Sequence, residues 1–341
     1  MRNINFVSEI GSEFHAVPCD FKNEFSFFNS ENFVFSGRTA IETVLKEIPD
    51  AKKVLLPSYC CESMIIPFRR AGIDVSFYDV WYEDGLSFDV NIAPDIDVLL
   101  WCNYFGFKNE MPDLMSFKNR GGIIIEDITH SFLSTQQSHR QSDFLVASLR
   151  KWEPVYCGGY CVSTKGSLNH MPIFEPPDDY ITTKQTAMEM KAEYLQDHDD
   201  TKKIEFLRLF EKSNAWLAEN YSKLAIDLWS KKFLSTVDAN KQRKIRRNNA
   251  SVLYEGLQRK IDFLFSADDM DCPLFVPIIL PAERSEIRKT LIQNKIYCPI
   301  HWPKPQGCES NLYDLELSLI CDQRYTKEDM ERIVSVLRKL L

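Results

Sequence analysis

Gly122-Ile123-Ile124-Ile125-Glu126-Asp127-Ile128-Thr129-His130-Ser131 is the stretch on which the fold turns. Three consecutive isoleucines without polar alternation read as a strand, Gly122–Glu126, buried on both faces as in a parallel sheet. The strand ends in acid, and a histidine follows three residues after Asp127. The same pattern repeats outward in both directions. Upstream lie the apolar runs Phe33–Phe35, Val54–Leu56 (stopped by Pro57), Val75–Tyr78 and Val98–Trp101; downstream lie Phe144–Ala147 and Tyr160–Ser163. Helical patterns stand between them. Ala40, Ile41, Val44, Leu45 and Ile48 share one stripe, Met64–Ala71 runs to Gly72, and Leu114–Asn119 is a short helix. Strands alternating with helices predict an α/β fold with parallel pairing and both sheet faces covered.

The remainder changes character. From Thr182 to Gln258 the pattern is almost wholly helical and lacks proline. Then come a strand at Leu274–Leu280, a helix at Ala282–Asn294 and a strand at Glu316–Ile320. Thr326 with Asp329 forms a capping-box pattern ahead of a closing helix, Lys327–Leu341. This predicts two domains: a large α/β domain over residues 1–235, containing a helical segment at 182–222, and a smaller α+β domain over 236–341. The basic run Lys241–Arg247 falls in a helical pattern and reads as a solvated helix face.

The chain has 341 residues, a net charge of −8, 44% hydrophobic and 26% charged residues. The length suits two lobes rather than one core. The acidic balance argues against a nucleic-acid partner, which wants a basic face. No run approaches the ~20 apolar residues of a membrane span, and the first residues, Met1–Ser12, carry acid and no apolar core. A cytoplasmic protein is expected. Its ten cysteines are then thiols rather than a disulfide framework, and their spacing matches no metal knuckle.

Four segments carry chemistry, three of them at strand ends, where open α/β sheets bind ligands. Ser36-Gly37-Arg38-Thr39 opens a helix, whose free N–H groups and dipole suit an anion such as phosphate; a plain N-cap also explains Ser36. Asp127 and His130 at the strand tip suit a cationic ring nitrogen in a cleft, or else are a solvated acid and a satisfied histidine. Ser148-Leu149-Arg150-Lys151 puts a lysine just past a buried strand. In an apolar pocket such a lysine loses charge easily and becomes a nucleophile toward carbonyls; a surface lysine is the plain alternative. Cys157-Gly158-Gly159-Tyr160 then lets the chain turn back into the sheet. In the tail, His301-Trp302-Pro303-Lys304-Pro305 is a proline-stiffened loop that either folds over the site or packs on the surface.

In order and spacing these segments resemble the DegT/DnrJ/StrS family of sugar aminotransferases, which have the aspartate-aminotransferase-like type I fold. The residues that carry the resemblance are Ser36-Gly37-Arg38-Thr39-Ala40-Ile41, the strand ending Pro57-Ser58, the turn Asn103-Tyr104-Phe105-Gly106, Glu126-Asp127 with His130, Lys151 seven residues before Gly158, and His301-Trp302-Pro303. The match is good over roughly Phe33–Ser163 and loose over the last seventy residues.

The resemblance implies pyridoxal 5'-phosphate held as a Schiff base by Lys151. It places Asp127 on the ring nitrogen and His130 at the ring as the other catalytic group. Ser36, Gly37, Arg38, Thr39 and Ser148 would hold the phosphate, and Tyr59 and Cys61 would border the cofactor. His301, Trp302 and Tyr104 would face the substrate. It implies transfer of an amino group from an amino acid, glutamate by analogy, to a keto sugar linked to a nucleotide, in a homodimer without metal. Two other readings share the features: a pyridoxal-phosphate lyase, dehydratase or aldolase, or a degenerate relative that binds cofactor without turnover. Three departures stand out. Cys61 occupies the place of the family's ring-stacking aromatic, leaving Tyr59, Trp152 or His130 for that role. The link from Ser148 to Lys151 is two residues shorter than usual. The family's Gly-x-Asn-x-Arg segment has no counterpart; helical sequence, Thr182–Tyr221, fills that region.

Overall fold

The computed structural model describes residues 8–19, 21, 29–135, 139–280 and 284–341. Its centre is an eight-stranded mixed sheet. Numbering strands from β1 (Ile10–Gly11), which lies outside that sheet, the members are β2 (Phe33–Val34), β3 (Lys53–Pro57), β4 (Asp74–Tyr82), β5 (Leu86–Asp89), β6 (Val98–Cys102), β7 (Ile123–Asp127), β8 (Phe144–Ser148) and β9 (Gly159–Ser163). The spatial order is β2-β9-β8-β7-β6-β3-β4-β5. The central run from β8 to β4 pairs in parallel; β9, β2 and β5 join antiparallel at the edges.

Buried aliphatic runs explain the parallel centre. All five residues of β6 are buried, as are Ile124 to Asp127 of β7. Helices α1 (Gly37–Glu47), α2 (Glu62–Arg70) and α3 (Met115–Asn119) pack against β8 and β9, β4, and β7 respectively. The stripe expected on α1 is the buried one: Ala40, Ile41, Val44, Leu45 and Ile48 all face the core.

The long helical region resolves into four helices: α4 (Asp178–Asp197), α5 (Asp200–Asn220), α6 (Leu228–Ser235) and α7 (Ala239–Leu257). It starts at Asp178, not Thr182. Pro177 bounds α4, and Asp178 and Asp179 favour its positive end. His198, at φ 57, breaks the run, and the Asp199 side chain caps α5.

The last third holds β10 (Asp262–Phe263), β11 (Phe275–Ile279), α8 (Arg284–Gln293), β12 (Ile296–Tyr297), α9 (Leu312–Leu315), β13 (Glu316–Ile320) and α10 (Lys327–Arg338). Strands β10, β11 and β13 form an antiparallel sheet, while α10 packs on α7 and α8. The capping box of Thr326 and Asp329 opens α10. Strand β1 reaches across to pair with β12, so the first described residues run beside the last third of the chain. Among the described residues no helix is long and apolar enough to cross a membrane, and the ten cysteines are free.

Candidate active site

Strands β3, β6, β7 and β8 deliver their C-terminal ends to one cavity of about 240 Å3. Its lining includes Ser36, Gly37, Arg38, Cys61, Asp127, His130, Ser148, Lys151 and Trp302. Nearly all the residues expected near a cofactor therefore meet in one place, although Ser36 and Lys151 stand 115 residues apart in sequence. Thr39 and Tyr59 do not line the cavity, nor do Tyr104 and His301.

One wall is the start of α1. Ser36 is its N-cap, and the hydroxyl accepts the Thr39 N–H at 3.2 Å. Thr39 turns inward and donates its hydroxyl to the Tyr221 carbonyl at 2.9 Å. Gly37 and Gly159 permit close backbone approach: a Cβ on Gly37 would lie 3.1 Å from Ser148 Cβ, and one on Gly159 only 2.2 Å from the Ser36 carbonyl oxygen. Arg38 brings a guanidinium whose Nε is buried without a partner. Burial weighs most against its charge and the neighbouring Arg150 adds to this, so an anion at this helix end would relieve both.

The opposite wall carries Asp127 at the tip of β7. It is buried and accepts the Thr129 N–H at 2.8 Å. Burial pushes its carboxyl above the usual carboxylate range. No ion pair reaches it among the described residues. A buried carboxylate without a cation is costly, so a cationic group on a ligand would suit this position. Its neighbour Glu126 points elsewhere and is satisfied by Asn103, Ser142 and the His139 ring at 2.8 Å.

His130 is buried beside this wall. Its Nδ1 accepts the Phe105 N–H at 3.3 Å, which leaves the proton on Nε2. Burial, then His301 and Lys151, hold its pKa well below the ordinary value, so the ring is neutral. Lys151 follows β8 in a single tight turn, Leu149–Lys151. Its side chain is exposed to this cavity and to a second one beside it. Burial lowers the amine below its usual value; Cys61 opposes this and Arg150 reinforces it.

Trp302, expected at the substrate, lines this cavity, its ring 5.6 Å from that of His130. Tyr59 turns away to Tyr104, Trp302 and Tyr313, with its hydroxyl toward Glu316. Trp152 donates to the Thr129 carbonyl at 2.6 Å and lies under Arg246. Of the three aromatic groups expected to stack on a ring, only His130 lines the cavity. His301 is buried, with Nδ1 2.9 Å from Ser318 Oγ and its N–H on Glu316.

Sequence reasoning missed Thr129, whose hydroxyl accepts the Ser148 N–H at 3.0 Å and so ties β7 to β8. It also misread the basic run. Arg243 and Arg246 of α7 are buried, not solvated. Arg246 lines a second cavity of about 510 Å3 that shares Arg38, Arg150 and Lys151 with the first. The three-residue spacing of these two arginines on a helix was the available signal.

The sequence matches no family model and no curated protein. Solved structures do resemble the chain. DesV of S. venezuelae, in complex with a ketimine intermediate, superposes with a TM-score of 0.64 at 17% identity, covering 90% of this chain and 84% of its own. A DegT DnrJ EryC1 StrS aminotransferase from Brucella abortus gives 0.62 at 14%, with 90% and 85% covered. The PLP form of Spr1654 from Streptococcus pneumoniae, a protein assigned as a sugar aminotransferase, gives 0.64 at 12%, with 98% and 100% covered. The chain therefore has the fold of these aminotransferases, the α/β fold with a mostly parallel sheet that its strand pattern predicts.

Proposed function

We propose that the protein is a pyridoxal-phosphate-dependent aminotransferase that moves an amino group from an amino acid, glutamate by analogy, to a keto sugar carried on a nucleotide. The observation that carries this reading is the convergence of Lys151, Asp127 and the α1 terminus on one cavity. The structural likeness to sugar aminotransferases supports it.

The residues fit the cofactor. Arg38 Nε lacks a partner where a phosphate would sit, and Asp127 lacks a cation where a ring nitrogen would sit. The first cavity is smaller than the ~300–1,000 Å3 of drug-sized sites, as suits a single ring with a phosphate. Bound there, pyridoxal phosphate supplies an electron sink for charge developing at the substrate's amino-bearing carbon. Ser36, Arg38, Ser148 and the N–H groups of α1 hold its phosphate. Asp127 would keep the ring nitrogen protonated by a charge-assisted contact. Neutral His130 would border the ring, and Trp302, on the same cavity wall, would shield it from water. The Lys151 amine, its pKa lowered by burial, would take the proton from the substrate's amino-bearing carbon as a general base.

A cytoplasmic location, a division into domains near residue 235 and a two-fold homodimer belong to the same reading. Phe25, Phe27 and Phe28, which suggest a partner surface, lie outside the described residues. The test of the function is a single turnover. Cofactor-loaded protein given glutamate and no acceptor releases one equivalent of 2-oxoglutarate per site if it is an aminotransferase. Release of none points to a lyase or to a degenerate relative.

A further inference from the structure

The second cavity has an unusual wall. Beside the shared Arg38, Arg150 and Lys151 it presents Glu13, Asn214, Arg246, Asp322 and Arg324. The two acids are already matched. Asp322 meets Arg324 in a fork, at 2.9 Å from Nε and 2.7 Å from Nη2. Glu13 accepts from Lys184 at 3.4 Å and from Asn214 at 3.1 Å; burial opposes its charge, but Lys184 and Arg150 bring its pKa down to about 2. After this pairing Arg150 and Arg246 keep no acid within ion-pair distance among the described residues.

Arg246 is the more telling of the two. Its residue is fully buried. Nη1 donates to the Pro273 and Leu274 carbonyls at 3.2 and 3.1 Å, and the guanidinium lies 4.4 Å over the Trp152 ring. These contacts fix the group and leave Nε and Nη2 without a partner. Nearby Glu153 does not discharge it: burial pushes that carboxyl up to about 7, and it is held by Gln242 at 2.6 Å. Arg150 also has a buried Nε without a partner, and its Nη1 reaches only Asn214 Oδ1 at 3.4 Å. A buried, oriented and unpaired guanidinium edge is expensive unless a ligand completes it.

We propose that this cavity is a second anion site, separate from the cup at α1, in which Arg246 and Arg150 seat the carboxylate of a small substrate. Nε and Nη2 form one edge of a guanidinium, the fork that a planar carboxylate meets with two parallel hydrogen bonds. A phosphate dianion suits the wall less well, because Glu13 and Asp322 also line it. A ligand that pairs one carboxylate with amino or hydroxyl donors uses both signs of charge. Two sources fit, the amino donor itself or a sugar acid on the acceptor side. That the ligand is a substrate rests on the aminotransferase reading; that it binds here does not.

Titration calorimetry on the cofactor-loaded protein tests the site with glutarate, glucuronate and glucose as probes. At least one of the acids should bind and neutral glucose should not. Glutarate that competes with glutamate assigns the donor; glucuronate alone assigns the acceptor. Arg246→Met should weaken binding about 10-fold or more, and Arg150→Gln by a smaller factor. Should Arg246→Met fail to fold, Arg246→Lys keeps the charge and loses the fork, and should still weaken binding about 10-fold. Equal binding of glucose, no binding of either acid, or unchanged affinity in the variants overturns the proposal. Acid binding without release of 2-oxoglutarate from glutamate would sink the aminotransferase reading and leave the site standing.

Discussion

Gly159 lies against Ser36 so closely that a Cβ on it would stand 2.2 Å from the Ser36 carbonyl oxygen. The first residue of β9 thus touches the residue that caps α1, so the turn after Lys151 sets the start of α1, the proposed phosphate cup. Gly159→Ala must push the cup aside and should cost about 1–3 kcal/mol while weakening cofactor retention. Gly158→Ala, whose Cβ meets only side chains at 3.2 and 3.4 Å, should be milder on both counts. Urea melts and equilibrium dialysis of the two variants check this, and equal effects would detach the glycine pair from the cup.

Asp127 is buried with its carboxyl pushed up by burial, and its hydrogen bond to the Thr129 N–H survives in an amide of the same shape. Asp127→Asn should keep the fold and lose about 10²–10³ in turnover, the scale of one preorganised charge contact in a dry site. Steady-state rates with normal circular dichroism are the measurement. Near-normal turnover would remove Asp127 from the chemistry.

His301 was expected to face the substrate, but it is committed to Glu316 and Ser318 in the core. Its ring packs on Phe105 and Phe275. His301→Ala should therefore destabilise the protein by about 1–3 kcal/mol, the cost of leaving a buried polar partner unmatched. Discrimination among acceptors should stay unchanged in the folded fraction. Altered discrimination with an unchanged melt would return His301 to the substrate.

Lys191 is buried and its pKa falls to about 7, through burial first and Arg324 second. An unfolded lysine titrates near ~10.4, so between these values the unfolded chain binds more protons. Stability of the cofactor-free protein should therefore rise with pH from about 7 toward 10. Lys151 and Lys184, also lowered, act in the same sense. Lys191→Met should reduce the slope without abolishing it; urea melts across that range give the comparison, and an unchanged slope counts against the burial account.

Much of this architecture was legible because its central strands, β6 and β7, are almost continuously apolar and buried. Val98–Trp101 and Gly122–Glu126 admit no other burial, and the order from Ser36 through Asp127 to Lys151 carries the site. Strand β5 was not read, since Leu86–Asp89 is short and only half-buried; the Asp84-Gly85 turn before it, at φ 53 and 145, was the overlooked sign. Arg246 was hidden by composition, because a run of basic residues looks solvated until the helix shows which of them turn inward. Tyr59 points away from the cavity and Trp302 lines it, and no local pattern fixes the direction in which an aromatic side chain points.

The most direct test of the central claim is borohydride reduction of the pyridoxal-phosphate-loaded protein followed by peptide mass mapping. The account predicts the cofactor fixed to the peptide at Lys151, and no fixation in Lys151→Ala even where that variant retains cofactor non-covalently. A label on Lys165 or Lys184, or no label on the wild type, would contradict it.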